Sequence, residues 1–110
     1  MKKTNRTNEL TKAVIKYLNA AGHFVWRQNN IGVWDAEKKI YRSGITKKGV
    51  ADIIGVSRTG KALAIEIKTG KDKLSIEQIE FGEQWQKRGG YYIEIKELNE
   101  VTMRILQIIK

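Results

Sequence analysis

The chain has 110 residues, 41% of them hydrophobic, and its 21 Lys and Arg against 12 Asp and Glu give a formal net charge of +9. That composition suits one core and one domain, residues 1–110, and excludes a membrane span of roughly 20 apolar residues. With no Cys and one His, disulfides, thiolate zinc sites and paired-His metal motifs are also excluded, and the basic excess makes a polyanion the first partner to consider.

The polar start Met1-Lys2-Lys3-Thr4 carries no apolar signal core, so a soluble cytoplasmic protein is expected. Leu10, Ala13, Val14, Tyr17 and Leu18 recur at helical spacing after Thr7-Asn8, and Ala21-Gly22 closes the segment. The period predicts a helix over residues 8–21. Residues 23–28 read as a strand, and 31–35 with 39–42 as a weakly patterned hairpin about Ala36-Glu37. Residues 50–57 and 61–68 are two β-rich runs joined by Arg58-Thr59-Gly60, a spacing suited to a three-residue hairpin loop. Ser75-Ile76-Glu77-Gln78 is a capping-box pattern opening a helix whose apolar members include Ile76, Ile79 and Trp85, ended by Gly89-Gly90. Residues 91–95 form a further strand, and Asn99 heads a last helix with Val101, Ile105, Leu106 and Ile109 as its stripe. The coarse order is α-β-β-β-β-α-β-α, an α/β fold with helices flanking a mixed sheet.

The hairpin loop fixes a register. If Ser57 pairs with Lys61, partner numbers sum to 118, so Ile54 faces Ala64 and Asp52 faces Glu66. Strand alternation puts Lys68 on the face of Glu66, with small Ala62 and Ala64 leaving space for a helix. Glu66 and Lys68 could be charges on a solvated strand face, but two acids brought opposite each other repel, an arrangement that a divalent cation relieves. Mg²⁺ takes oxygen ligands and keeps several waters, so two carboxylates plus the Ile67 main-chain carbonyl would be a sufficient protein share. Lys68 would stand beside the metal, able to orient or deprotonate a water or to stabilise charge on a phosphate.

Gly49-Val50-Ala51-Asp52, fourteen residues before Glu66-Ile67-Lys68 in Asp-to-Glu spacing, resembles the Asp…Glu-x-Lys signature of the PD-(D/E)XK nuclease superfamily. The closer likeness is to the virus-type replication-repair nuclease (VRR-NUC) domain. Glu9 matches its early helical Glu, Gln78 its Gln ten residues past the Lys, and Trp26-Arg27-Gln28-Asn29-Asn30 its Trp-Arg-polar stretch. The match runs from Glu9 to about Ile95, with Ala51 standing where the superfamily often has Pro. The resemblance implies a restriction-endonuclease-like core, Mg²⁺ or Mn²⁺ dependence and hydrolysis of DNA phosphodiesters. It makes Asp52, Glu66, Lys68 and Gln78 the catalytic set, with Glu9, Asp52, Glu66 and the Ile67 carbonyl as metal ligands. Stand-alone members of this size resemble Holliday junction resolvases of phages and bacteria, which implies the cytoplasm of a bacterium or a phage-infected host.

Several residues carry a second reading. Glu9 could be a first-turn acid favoured by the helix dipole, and Gln78 could serve only the capping box. Lys38, Lys39, Arg42, Lys47 and Lys48 form a basic stretch expected, with Arg27, to contact DNA phosphates without reading bases. Trp26, Trp34 and Trp85 read as core or interface residues and His23 as structural. The function expected is metal-dependent cleavage of branched DNA, a four-way junction above all, by a homodimer or dimer of dimers. A flap, nick or duplex nuclease, or an inactive basic DNA-binding protein on the same fold, are the alternatives.

Overall fold

A computed structural model describes residues 5–28, 33–42 and 47–99. The predicted last helix, with its stripe Val101, Ile105, Leu106 and Ile109, lies outside the described residues. The elements are α1 (Asn5–Ala20), β1 (Phe24–Arg27), β2 (Val33–Asp35), β3 (Ile40–Arg42), β4 (Ile53–Val56), β5 (Ala62–Ile67), α2 (Ile76–Lys87) and β6 (Tyr91–Ile95). Five strands therefore precede α2, one more than the coarse order allows. Both arms of the weak hairpin form, and they pair only with each other, as a two-stranded sheet separate from the main one. Asp35 builds their turn by accepting the Glu37 and Lys38 amides on Oδ1, at 3.0 and 3.2 Å.

The main sheet has the order β1-β4-β5-β6. β1 and β5 both run antiparallel to β4, while β6 lies parallel to β5 after the crossover through α2. Ile54 faces Ala64 and Val56 faces Ala62, the pairing that the three-residue loop dictates, and the Ser57 amide donates to the Lys61 carbonyl at 2.7 Å.

One sheet face is apolar. Val25, Ile53, Leu63, Ile65, Ile67, Ile93 and Ile95 form a buried cluster with Val14 and Leu18 of α1. The helix begins one turn earlier than its apolar period suggests, because Thr7 and Thr11 extend the buried stripe in polar form. Thr11 Oγ1 donates to the Thr7 carbonyl at 2.8 Å, and Thr7 Oγ1 meets Thr69 Oγ1 at 2.6 Å. This tertiary contact holds the first turns of α1 against the residues just after β5.

α2 packs on the opposite face, and two of the three apolar side chains its sequence suggests, Ile76 and Ile79, do not make the contact. Ile76 is 72% exposed and Ile79 45%, whereas Gly82 is its buried residue. A Cβ at Gly82 would come within 2.7 Å of the Tyr92 ring, so the missing side chain is what lets the helix lie on β6. Phe81 flanks this contact, stacked on Trp85 with centroids 5.2 Å apart and tilted toward Tyr92 at 6.1 Å.

Candidate active site

The β4–β5 register places Asp52 just before β4 and Glu66 on β5 at the same end of the hairpin, on the face that α2 covers. Asp52 Oδ2 accepts the Ile67 main-chain N–H at 2.9 Å, which fixes its carboxylate beside the last residue of β5. The Asp52 carbonyl accepts the Gln28 amide at 2.7 Å, tying the loop to the end of β1 as well. Glu66 is 1% exposed. Its Oε2 accepts from Gln78 Nε2 at 2.9 Å and lies 3.6 Å from Lys68 Nζ. A carboxylate this buried is tolerable because it has both a cationic neighbour and an amide donor.

Gln78 caps α2 and also reaches Glu66. Its Oε1 accepts the Ser75 amide at 2.8 Å while Ser75 Oγ accepts the Gln78 amide at 3.1 Å, the reciprocal pair of a capping box. The other end of the same amide group donates to Glu66. Helix initiation and carboxylate orientation are thus one hydrogen-bonded unit. Gly49, at φ +83°, brings the loop before Asp52 so close to the Glu77 carbonyl of α2 that no side chain fits there. Loop, strand and helix meet at this point.

Two further residues belong to the neighbourhood and escaped the motif. Glu94 is paired with Glu66 in the parallel register and Tyr92 with Ala64, so both share the face of Asp52 and Glu66. The Tyr92 hydroxyl is buried with no hydrogen-bond partner among the described residues. Burial first, then the charges of Glu66, Glu94 and Asp52, push its pKa well above the usual phenol value. A strand reached through a helical crossover has no loop-length rule to fix its register, which is why sequence did not align Glu94 with Glu66.

Glu9 is exposed on α1, beyond the helix's first turn, which contains no acid, so the helix-dipole reading of it loses its basis. Among the described residues no three His, Asp or Glu side chains assemble as a metal-binding group, so Glu9 does not join Asp52 and Glu66. The physical reason is helical phase: Thr7, Thr11, Val14 and Leu18 face the sheet, and Glu9 is off that stripe. Arg27 Nη2 donates to Asn8 Oδ1 at 2.9 Å, which bonds the end of β1 to α1. Lys38 and Lys39 are exposed in the β2–β3 turn, and the side chain of Arg42 lies outside the described residues. Lys47 and Lys48 line a cavity of about 500 Å³ with Glu77, Glu80 and Glu83, so their positive charge faces an acidic helix. Trp26 is 42% exposed beside Phe24, which is 69% exposed, their rings 5.4 Å apart on the outer strand β1. Trp26 is therefore no core residue, and the side chain of Trp34 lies outside the described residues. His23 is structural: its Nδ1 accepts the Arg58 amide at 3.0 Å.

The donors present fit a hard divalent cation. Asp52 and Glu66 supply carboxylate oxygens, and a metal such as Mg²⁺ that keeps most of its water needs few protein ligands. No described helix is long and apolar enough to cross a membrane.

No protein-family model and no curated protein matches the chain. Among solved structures it is similar to one described as a VRR_NUC domain, with a TM-score of 0.64 and 19% identity over 91% of this chain and 94% of that one. The α/β arrangement of two helices on a mixed four-stranded sheet is therefore a VRR-NUC-type fold.

Proposed function

We propose that the chain is a metal-dependent DNA endonuclease, with Asp52 and Glu66 as the ligands of one Mg²⁺ or Mn²⁺ site and Lys68 and Gln78 as the residues that hold Glu66 in place. The observation that carries this reading is the buried Glu66 carboxylate, gripped by Lys68 Nζ and Gln78 Nε2 beside an Asp52 anchored on the next main-chain amide. The likeness to a VRR_NUC domain supports it at the level of fold. The Ile67 carbonyl is the candidate main-chain ligand, and Glu9 would take part only through water.

A bound divalent ion would supply the charge that relieves the two acids and draws a phosphate oxygen to the site. The chain's own residues do the rest. Asp52 is oriented by the Ile67 amide. Gln78 fixes the rotamer of Glu66, and the Lys68 ammonium places a positive charge where a scissile phosphate would gather negative charge. Fixed donors and acceptors of this kind lower a barrier because they need no rearrangement during the reaction.

The substrate proposed is branched DNA, a four-way junction in particular, cut by a homodimer as a Holliday junction resolvase. The test is incubation of labelled junction, flap and linear duplex with the protein in Mg²⁺ and in chelator. Wild-type protein should cut the junction in Mg²⁺ and not in chelator, and Asp52→Asn should bind it while cutting at least about 100-fold more slowly. Full activity in Asp52→Asn would reject the site, and equal rates on all three DNAs would reject the structure selectivity.

A further inference from the structure

A second cavity, of about 410 Å³, opens between α2 and the start of β5, walled by Phe81, Trp85 and Ala62 and rimmed by Lys47 and Arg88. Its lining is aromatic and aliphatic with cations at the edge. The Arg88 guanidinium is fixed there, donating to the Gln84 carbonyl at 3.2 Å and to Gln84 Oε1 at 2.6 Å. A cavity lined by aromatic side chains and cations has the chemistry of a nucleobase flanked by its phosphates, since a base stacks on aromatic rings and a phosphate seeks the cations. Basic net charge makes a polyanion a better occupant than a neutral apolar peptide.

Position adds to the chemistry. Ala62 and Glu66 are four residues apart on β5 and so share a face, roughly 13 Å from one another at about 3.3 Å per residue. That is a span of about four nucleotides at the 3.4 Å rise of duplex DNA. α2 lies over β5 between the two points, so DNA that engaged both would pass outside the helix, with the slot a few nucleotides from a phosphate at Glu66. Bases in a paired duplex are stacked on their neighbours and cannot enter, so the occupant must be unpaired.

We infer that this slot between Phe81, Trp85 and Ala62 captures one unpaired base of the DNA being cut, and so selects substrates with single-stranded nucleotides near the cleavage point. The inference rests on the nuclease reading above and, an intact four-way junction being fully paired, adds to it a preference for branched DNA that is gapped, flapped or frayed near the branch point. Ala62, at the start of β5, and Gln84, on α2, are exposed and both line the cavity. Either can be enlarged to close the slot without removing a core side chain.

The experiment compares a duplex containing a short gap, with 2-aminopurine in the unpaired stretch, and the same duplex fully paired. Binding is followed by anisotropy and 2-aminopurine emission in chelator, where no cutting occurs. Wild-type protein should bind the gapped DNA about tenfold more tightly or better and quench the probe. Ala62→Phe and Gln84→Phe should each lose that preference and the quenching, with melting temperature and Mn²⁺ affinity at wild-type values. Persistence of the preference in both folded variants, or equal wild-type affinity for the two DNAs, would overturn the slot while leaving the nuclease reading intact. Absence of any DNA binding by wild-type protein would instead sink both.

Discussion

Gln78 is the residue in which fold and proposed chemistry are hardest to separate, because its two amide ends serve different masters. Glu at the third helical position caps as well as Gln does, so Gln78→Glu preserves the Ser75 capping box while turning a donor to Glu66 into a second carboxylate. The expected result is a protein with intact helix content but a lowered melting temperature that recovers when Mg²⁺ is added. Gln78→Ala, lacking both the cap partner and the donor, should lose stability with less recovery from the metal. Circular dichroism melts with and without Mg²⁺ check this, and equal metal rescue in the two variants would mean that Gln78 has only a capping role. The Gln was visible in the sequence as a motif match and as a cap, but the sharing of one amide between them was not. It depends on α2 starting within hydrogen-bond reach of β5, a tertiary distance that no local pattern encodes.

Elements were legible in proportion to how local their causes are. The β4–β5 register followed from three loop residues, and with it the placing of Asp52 and Glu66 on one face. The α2 N-terminus likewise followed from Ser75 and Gln78. By contrast, the start of α1 depends on Thr7 meeting Thr69, sixty-two residues away, and the packing of α2 on the absence of a side chain at Gly82. Ile76 and Ile79 misled because apolar residues on a helix need not be the ones that pack. His23 shows the same dependence on long-range contact. It accepts from the Arg58 amide, and burial, then the Arg58 charge, lowers its pKa from the ordinary 6.5. The folded state therefore binds fewer protons than the unfolded chain below that value, so this contribution to stability is complete above about pH 6.5 and declines as pH falls. Melting temperature should drop between about pH 7 and pH 5, and drop less in His23→Asn. Identical pH profiles for the two proteins would refute the assignment.

Across the whole molecule, the sheet separates two functions. α1 and the apolar face carry the core, whereas the α2 face carries Asp52, Glu66, Glu94 and Tyr92 at one end of β5 and the aromatic slot at the other. Lys47 and Lys48 face acidic α2, so the proposed attraction to DNA would draw on the formal charge of +9 more than on that one loop. A four-way junction has two-fold pseudo-symmetry, and paired cuts require two sites, so light scattering after size exclusion should find a dimer, free or on junction DNA. Monomer alone in both cases would remove the resolvase form of the proposal. In the proposed site Asp52 and Glu66 share one divalent ion, and electron paramagnetic resonance of Mn²⁺ titrated into the protein measures that without reference to any substrate. It should show one bound ion per chain in wild type and in Lys68→Ala, and loss of that binding in Asp52→Asn and in Glu66→Gln. Undiminished Mn²⁺ binding in the two carboxylate variants would contradict the account.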